Sequence, residues 1–417
     1  MGSESTRFSI TRRTVMKTVG TVAAIANLGG VGAARSNQTV SKADEEPIRL
    51  TPVNVALDWC ETAYAPDPRV AYYDVTATKT ENGDGISLHG AVQSTHLREK
   101  AINAAQHPNG VAAPNRHLSE QPADAVSIKT DDLTVFNEVA RTRTVQTAIA
   151  PVRGTPDETV PLVTETVYGA RVTAFERKSK WTRVRTPDNY LGWIQTDYLT
   201  DPIEGAFDAR LQEDVGSSID GIETVYAGTD CTVEAADEWQ PGDGKPPWAG
   251  GKNEVNEKEE RKKVTVRFRT GASMEVPAGT VVEPNPVPTR ETVVENAMYY
   301  LEVEEDVPYL WGGMTTEGID CSGFVWMAYR MAGITLPRDS DQQQKMGEQV
   351  GRDDLRPGDL LCFPGHIAIS LGGDEFINST GSADGPTRNS FDPDDPNYSE
   401  YLDESFEEAR RVLRPYQ

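Results

Sequence analysis

The segment GIDCSGFVWMAYRMAGITLPRDS, residues 318–340, constrains the fold most strongly because it places a cysteine directly before a helical pattern. Apolar residues in FVWMAYRMAG recur at helical spacing, and Gly333 predicts the end of the helix. Cys321 is therefore predicted at a helix N-terminus, where the helix dipole and free N–H groups favour a thiolate. Such a cysteine is either a structural thiol or a nucleophile, and a nucleophile needs a base elsewhere in the chain.

The segments after this helix supply a base and a partner for it. RPGDLLCFPGHIAISL predicts two apolar strands, the second beginning at His366, and DEFINSTG predicts the next strand, which carries Asn378. His366 is the only histidine after His117. An imidazole activates a thiol whose pKa is otherwise about 8.5, and a third polar group fixes the tautomer and direction of the ring. The alternatives are a core histidine at 366 and a turn residue at 378, since NSTG also suits a turn.

Short alternating strands dominate the middle of the chain. TVYGARVTAFERKSKWTRVRT alternates polar and apolar residues through a Lys-Ser-Lys turn, and NYLGWI follows with Gly-Trp. Over residues 146–200 this pattern resembles the bacterial Src-homology-3-like barrel of wall-associated enzymes. We predict such a barrel at 131–201 and a second, degenerate copy at 205–285, which contains a charged insertion at 240–262.

The N-terminal part predicts a small α+β module. A hairpin around NGDG and the helical spacing after it, within residues 70–106, resemble the BON-type modules of exported proteins. We place this module at 51–120, after a polar tether at 36–50 and before a Pro- and Ala-rich linker at 107–130.

Five motifs in the last predicted domain, 288–417, occur in the order PYLWGG, GIDCSG, LPRDS, PGDLL and HIAIS. This region resembles the NlpC-type papain-like cell-wall cysteine peptidases. Together with the barrel, the chain resembles their dipeptidyl-peptidase VI type, the γ-D-glutamyl-L-diamino acid endopeptidases. The resemblance implies a multidomain fold with a C-terminal papain-like α+β domain, preceded by two small all-β Src-homology-3-like barrels and a small α+β N-terminal module.

The same resemblance implies roles for individual residues. Cys321 matches the nucleophile, whose backbone N–H is a candidate oxyanion donor, His366 matches the general base, and Asn378 matches a third position where histidine is commoner. The predicted substrate-binding residues lie beside the nucleophile, in the LPRDS loop and on the first barrel as an aromatic lid: Asp320, Ser322, Arg338, Asp339, Ser340 and Tyr190.

Some of these assignments leave alternatives open. Tyr190 also suits the barrel core, and either Glu158 or Glu165 is a candidate carboxylate for a substrate amine. Only Pro364 and Gly365 separate LLCF from the predicted base, which predicts an open cleft on that side.

Composition limits the function classes. The chain has 417 residues, with 41 basic and 65 acidic residues and a net charge of −24, spread along its length. This length suggests roughly three or four domains. The dispersed acidic charge argues against binding of nucleic acid or an anionic membrane. With arginine well ahead of lysine, it fits a protein that stays soluble in high salt, and an ordinary acidic secreted protein is the alternative.

The N-terminus predicts export. TRRTVMK carries Arg12 and Arg13 ahead of the weakly apolar run TVGTVAAIANLGGVGAA, which predicts a twin-arginine signal over 1–35 with cleavage near Ala34. A retained anchor is the alternative. No other segment is apolar and long enough to cross a bilayer.

The cysteines and histidines predict neither a disulfide framework nor a metal site. Pairing of Cys60 with Cys231 stays open, Cys362 is predicted in the core, and CxxC is absent. The remaining histidines lack metal-ligand spacing: His89, His96, His107 and His117. We therefore expect neither a metal nor an organic cofactor.

These features predict an exported cysteine peptidase. The resemblance implies that it hydrolyses γ-D-glutamyl-diamino acid bonds in short peptidoglycan-derived peptides with a free N-terminus, through an acyl-enzyme. One alternative is a non-catalytic wall- or glycan-binding protein. The other is a papain-like amidase or acyltransferase acting on another γ-glutamyl or lipid substrate. The expected partner is a short peptide, without nucleic acid and without stable membrane insertion after signal cleavage; the oligomeric state is open.

Overall fold

A computed structural model of the protein describes residues 48–108, 126–234, 263–282, 287–303 and 306–413. The predicted export signal at 1–35, the tether up to residue 47 and the insertion at 240–262 lie outside the described residues.

The N-terminal module packs two helices against a small sheet. Its elements are α1 (Leu50–Tyr64), β1 (Tyr73–Lys79), β2 (Gly85–Val92), α2 (Thr95–Gln106), β3 (Ser127–Val135) and α3 (Phe136–Val139). The predicted hairpin and helix within 70–106 are present, and Ser94 caps α2 by accepting the N–H of Leu97. The core lies between the helices and one sheet face and includes Leu57, Leu88 and Ala101.

The strand β3 pairs in parallel with β2, in the order β1-β2-β3. We expected a linker at 107–130 and the first barrel from residue 131, whereas β3 belongs to the sheet of the N-terminal module. A parallel partner joins through a long connection and carries no turn signal that would reveal it in the sequence.

The first barrel follows. Its strands are β4 (Arg141–Val145), β5 (Ile149–Arg153), β6 (Leu162–Val167), β7 (Arg171–Lys178), β8 (Trp181–Arg185), β9 (Leu191–Gln195) and β10 (Leu199–Thr200). They are hydrogen-bonded in the order β10-β4-β7-β8-β9-β5-β6 around a core that includes Val152, Val184 and Ile194. The Lys-Ser-Lys turn joins β7 to β8, with Ser179 at a positive φ of 55°.

A second β-unit occupies the positions predicted for a second barrel. Its strands are β11 (Ala209–Leu211), β12 (Val215–Gly216), β13 (Thr224–Val225), β14 (Asp230–Glu234), β15 (Lys263–Phe268), β16 (Ser273–Pro277) and β17 (Val281–Val282). Among the described residues the main sheet has the order β16-β15-β14-β11-β17, and β12 pairs with β13.

The C-terminal domain is an antiparallel sheet with helices on both faces. Its elements are α4 (Arg290–Glu302), β18 (Met314–Thr315), β19 (Gly318–Ile319), α5 (Cys321–Met331), α6 (Ser340–Gln343), β20 (Glu348–Val350), β21 (Leu360–Phe363), β22 (His366–Gly372), β23 (Glu375–Thr380), β24 (Gly385–Ser390), α7 (Glu400–Ser405) and β25 (Glu408–Arg411). The main sheet order is β20-β25-β21-β22-β23-β24. Thr289 caps α4, because its hydroxyl accepts the N–H of Thr292.

Two apolar layers hold this sheet. On one face α4 and α5 bury Val293 and Phe324 against Ile367 and Ile377. On the other face Phe363 and its neighbours form a separate aromatic cluster beneath α7. The sheet is therefore fixed from both sides where it approaches α5, the helix that begins at Cys321.

The four cysteines all lie within the described residues and are buried and free, so Cys60 and Cys231 do not pair. Among those residues, no helix is long and apolar enough to cross a membrane.

Candidate active site

The nucleophile candidate is the first residue of α5. Asp320 caps this helix, and its Oδ1 accepts the N–H of Gly323 at 2.6 Å. A side chain at Gly323 would overlap the carbonyl of Gly313, so the glycine lets the helix start pack against the glycine-rich turn. Cys321 is 7% exposed and belongs to the core between α5 and the sheet.

The candidate base and its partner lie on the neighbouring strands β22 and β23. His366 Nε2 lies 3.0 Å from Asn378 Oδ1. The thiol of Cys321 faces the backbone N–H of Ile367, the residue after His366. The hydroxyl of Ser379 donates to the carbonyl of Ile319 at 2.7 Å and ties β23 to the start of α5. The three predicted residues therefore lie on three elements that contact one another.

Burial sets the protonation states of the pair. Burial raises the pKa of the Cys321 thiol to about 12, and the Asp320 carboxylate adds to this rise, while the N–H of Ile367 and the Arg338 guanidinium oppose it. Burial also lowers the pKa of His366 from its ordinary 6.5, against the opposing effect of the bond to Asn378. At neutral pH both groups are uncharged, so the thiol needs the imidazole to take its proton.

The tautomer suits this transfer. An imidazole that donates from Nε2 to the Asn378 oxygen has its lone pair on Nδ1. Nδ1 is then the atom that can accept a proton from the thiol.

A buried arginine organises the residues beside the nucleophile. Arg338 is 1% exposed and donates to the Asp320 carboxylate at 2.9 and 3.1 Å and to Ser322 Oγ at 2.8 Å. Although burial alone would raise the pKa of Asp320, the Arg338 guanidinium holds it below its usual range. Both Asp320 oxygens are engaged, because Oδ2 also accepts the N–H of Gly312 at 2.7 Å. The structure thus joins three predicted substrate-binding residues in one network.

This network continues into the first barrel. Arg338 Nε donates to Thr164 Oγ1 at 3.1 Å, and that hydroxyl donates to Asp188 Oδ2 at 2.6 Å. The other Asp188 oxygen accepts the N–H of Tyr190 at 3.2 Å. Tyr190 is buried, and its backbone N–H is bonded to Asp188, one of the residues that link the barrel to Arg338.

Of the other two loop residues, Asp339 contacts the N-terminal module. Asp339 Oδ2 accepts Arg69 Nη1 at 2.8 Å, and Ser340 is the first residue of α6. The same guanidinium binds Asp341 at 2.7 and 2.9 Å, and the carbonyl of Arg69 accepts the N–H of Leu191 at 2.6 Å. One loop of the module therefore contacts both the barrel and the loop beside the candidate site.

The two candidate carboxylates differ in environment. Glu158 is exposed and paired with Lys180. Glu165 is 4% exposed, and its Oε1 accepts the N–H of Met314 at 2.7 Å. Burial raises the pKa of Glu165 to about 7, against the hydrogen bonds from Met314 and Thr315.

Comparisons with known proteins identify the family. The family model of the NlpC/P60 family matches residues 306–398, and that of the bacterial dipeptidyl-peptidase Sh3 domain matches residues 152–199. The probable endopeptidase NlpC of Escherichia coli is 35% identical over 129 residues, which are 29% of this chain and 79% of that protein. This chain belongs to the NlpC/P60 family.

Two further proteins are similar to this chain, one in sequence and one in fold. The Bacillus subtilis protein named γ-D-glutamyl-L-lysine dipeptidyl-peptidase is 34% identical over 99 residues, which are 22% of this chain and 32% of that protein. A crystal structure of an NlpC/P60 family protein from Bacillus cereus aligns with a TM-score of 0.50 and 20% identity, over 66% of this chain and all of that one. The predicted papain-like fold with an Src-homology-3-like domain before it is confirmed.

Several residues of this NlpC/P60 site were not predicted from the sequence. Gln343 Nε2 donates to the carbonyl of Ser322 at 2.9 Å, and Gln344 Nε2 donates to the carbonyls of Phe363 and His366 at 2.9 and 3.1 Å. The run DQQQK has no periodicity that indicates such contacts. Arg69 is far in the sequence from the candidate site. Its contacts with Asp339 and Asp341 are seen only in the structure, where the N-terminal module docks on this loop.

The cofactor expectation concerns the same region. Among the described residues, no group of three or more His, Cys, Asp or Glu side chains is arranged to hold a metal ion.

Proposed function

We propose that this chain is an exported cysteine peptidase that cleaves γ-D-glutamyl-diamino acid bonds in short peptidoglycan-derived peptides with a free N-terminus. The observation that carries the proposal is the His366–Asn378 hydrogen bond, on strands packed against the helix that begins at Cys321. A thiol, an imidazole and a group that orients the imidazole are the components of a papain-like site. A non-catalytic binding protein would not need them together.

The mechanism follows from the tautomer. His366 Nδ1 takes the thiol proton while Cys321 Sγ attacks the γ-carbonyl carbon, and the oxyanion accepts the backbone N–H of Cys321 at the start of α5. The tetrahedral intermediate collapses, the C–N bond breaks, and the imidazolium gives its proton to the leaving amine. Water then attacks the thioester with His366 as base, which releases the acid and restores the thiol. Every proton is carried by one imidazole that Asn378 orients.

The substrate class rests on the relatives and on the barrel. A relative named for γ-D-glutamyl-L-lysine and the match to the dipeptidyl-peptidase Sh3 domain favour a γ-D-glutamyl bond near a free N-terminus. This chain spans 32% of that relative's length, so the substrate is inferred by analogy. In the proposal Asp320, Ser322 and the loop of Arg338, Asp339 and Ser340 border the substrate pocket, and Tyr190 closes it from the barrel.

The cellular setting is part of the proposal. Arg12 and Arg13 before a mild apolar run support twin-arginine export, and the net charge of −24 supports work in high salt. Fusion of residues 1–35 to a reporter tests the first point. Thermal unfolding in increasing potassium chloride tests the second, with a rising midpoint expected and an unchanged midpoint contradicting it.

Hydrolysis of defined peptides tests the activity. The mature protein and Cys321→Ala are incubated in high salt with L-Ala-γ-D-Glu-diaminopimelate, free and N-acetylated, and released diamino acid is measured by mass spectrometry. We expect cleavage of the free peptide only, abolished by Cys321→Ala. Cleavage of both peptides would reject the requirement for a free N-terminus. Absence of cleavage by protein whose Cys321 is still alkylated rapidly would reject the substrate class and favour an amidase or acyltransferase on another γ-glutamyl compound.

A further inference from the structure

The orientation of one amide decides whether the candidate base works. If the Asn378 oxygen faces His366, the ring donates from Nε2 and keeps Nδ1 free to accept a proton. If the Asn378 amide is turned around, its NH₂ faces Nε2, the neutral ring carries its proton on Nδ1, and the thiol loses its acceptor. An asparagine side chain fits either way in shape alone, so its other neighbours must select the productive orientation.

Two groups select the orientation of Asn378. Its side chain is 0% exposed, and its Nδ2 donates to Asn389 Oδ1 at 2.8 Å and approaches the carbonyl of Thr387 at 3.5 Å. The Thr387 carbonyl can only accept hydrogen bonds. Asn389 presents its oxygen to Asn378 because its own Nδ2 faces the carbonyl of Asn397, at 3.4 Å, which also can only accept.

The sheet register explains why these groups meet. Asn378 is directly opposite Thr387 in the β23–β24 ladder, and Asn389 lies two residues further along β24, so its side chain is on the same face as that of Thr387. The N–H of Ser390 donates to the carbonyl of Asn397 at 2.9 Å and fixes that carbonyl beside the strand end. The contacts therefore run from His366 through Asn378 and Asn389 to the backbone carbonyl of Asn397, which can only accept hydrogen bonds.

We propose that Asn389 is a positioning residue that selects the catalytic tautomer of His366 through the amide of Asn378. It contacts neither the thiol nor the substrate in this role. The proposal rests on the proposed function, because it assigns a use to the same imidazole.

Nitrogen NMR of the histidine side chains tests the tautomer without any substrate. The sequence contains five histidines, and the spectrum of His366→Ala identifies the signal of interest. We expect the Nε2–H tautomer in the wild type, a mixture of tautomers in Asn389→Leu, and the wild-type tautomer in Arg388→Leu, whose exposed side chain is on the opposite face of β24. If Asn389→Leu does not fold, Asn389→Ser replaces it in this test, because the serine side chain is too short to reach Asn378.

The rate of Cys321 alkylation by iodoacetamide, followed against pH, is the second readout. We expect a rate about tenfold lower in Asn389→Leu at neutral pH, as for loss of one orienting hydrogen bond. Asn389→Asp keeps the acceptor for Asn378, so it should retain the tautomer, while its charge favours the imidazolium and moves the acidic limb to higher pH.

Wild-type tautomer and wild-type rate in both Asn389→Leu and Asn389→Ser would overturn the proposal. Failure to cleave the γ-D-glutamyl peptide, with the tautomer still dependent on Asn389, would instead reject the proposed substrate and leave the positioning role intact.

Discussion

The thiol of Cys321 lies in an apolar setting at the start of a helix. Burial and the Asp320 carboxylate disfavour its thiolate, while two backbone N–H groups, of Ile367 and Ser322, partly offset this effect. The imidazole has the complementary property, because burial keeps it neutral. The pair is therefore arranged for a proton transfer that accompanies attack, without a permanent ion pair.

The pH dependence of the reaction follows from this pair. Activity requires neutral His366, so kcat/KM should fall as pH drops through the pKa of this residue, and that midpoint should lie below 6.5 because burial lowers it. A pH series of initial rates measures the midpoint. Asn378→Leu removes the bond that opposes the lowering, so its midpoint should be lower still. A wild-type midpoint above 6.5 would contradict the neutral resting pair.

Arg338 allows a second prediction at the scale of single residues. Its guanidinium is fully buried and pairs with Asp320, so Arg338→Leu leaves a buried carboxylate without its counter-ion. The free energy of unfolding should fall by about 3–5 kcal/mol. Urea denaturation measures this loss. Arg356→Leu is a matched control at an exposed arginine, and an equal small loss in both variants would contradict the account.

The positions of the candidate catalytic residues in the fold were predictable because each follows a local pattern. A helical period placed Cys321, and short apolar strands placed His366 and Asn378. The partners of Arg338 were not predictable, because its contacts join segments 16 to 174 residues apart. The assignments of Asp320, Arg338 and Tyr190 to substrate binding remain predictions, and the structure adds that all three are buried.

At the scale of elements, α6 and Gln344, the residue that follows it, connect the segment of the candidate nucleophile to the segment of the candidate base. Gln343 binds the carbonyl of Ser322 on α5, and Gln344 binds the two carbonyls that flank the tight turn before β22. Gly365 has a positive φ of 70° in that turn. The short helix and the residue after it therefore fix the distance between the two candidate catalytic segments.

Gln344→Leu should lower kcat about tenfold with little change in KM, because the imidazole loses a support while the rest of the site is unchanged. Steady-state kinetics with the cleaved peptide, or alkylation of Cys321, measures the effect. Gln349→Leu, at an exposed position on β20, is the matched control. A change confined to KM would assign Gln344 to substrate binding instead.

Helices and strands were predicted where a single segment shows helical or strand periodicity by itself. The hairpin β1–β2, the helix α5 and the strands β21–β23 all show local signals. The helix α1 was missed because it directly follows the segment interpreted as a polar tether. The strand β3 was missed because it pairs in parallel with β2, whose residues lie 42 positions earlier in the chain.

At the scale of the whole molecule, buried polar contacts join the domains that lie within the described residues 48–413. Glu165 of the first barrel accepts the N–H of Met314 from the C-terminal domain. It also lines a cavity of about 30 Å³ together with Asp188, Trp326 and Arg330. Arg69 adds the N-terminal module to the same junction through Asp339.

The junction should respond to pH. Glu165 has a raised pKa of about 7 against an ordinary 4.5, so between these values the folded state holds a proton that the unfolded chain has lost. Acidification through this window therefore stabilises the folded state. Glu165→Gln should be more stable than the wild type above pH 7, by roughly 3 kcal/mol, and this advantage should shrink as pH falls towards 4.5.

Urea denaturation at several pH values measures the difference. Glu158→Gln, at an exposed carboxylate of the same barrel, should show little pH-dependent difference from the wild type. A constant difference for Glu165→Gln at all pH values would contradict the raised pKa.

The central claim is that Cys321 is a nucleophile activated by His366. A short iodoacetamide pulse at neutral pH, followed by peptide mapping of the four cysteines, tests it most directly. All four are buried, so burial alone predicts similar slow labelling. The account predicts that Cys321 is labelled well ahead of Cys60, Cys231 and Cys362, and that His366→Ala removes this advantage. Labelling of Cys321 no faster than Cys362, or an advantage that survives His366→Ala, would contradict it.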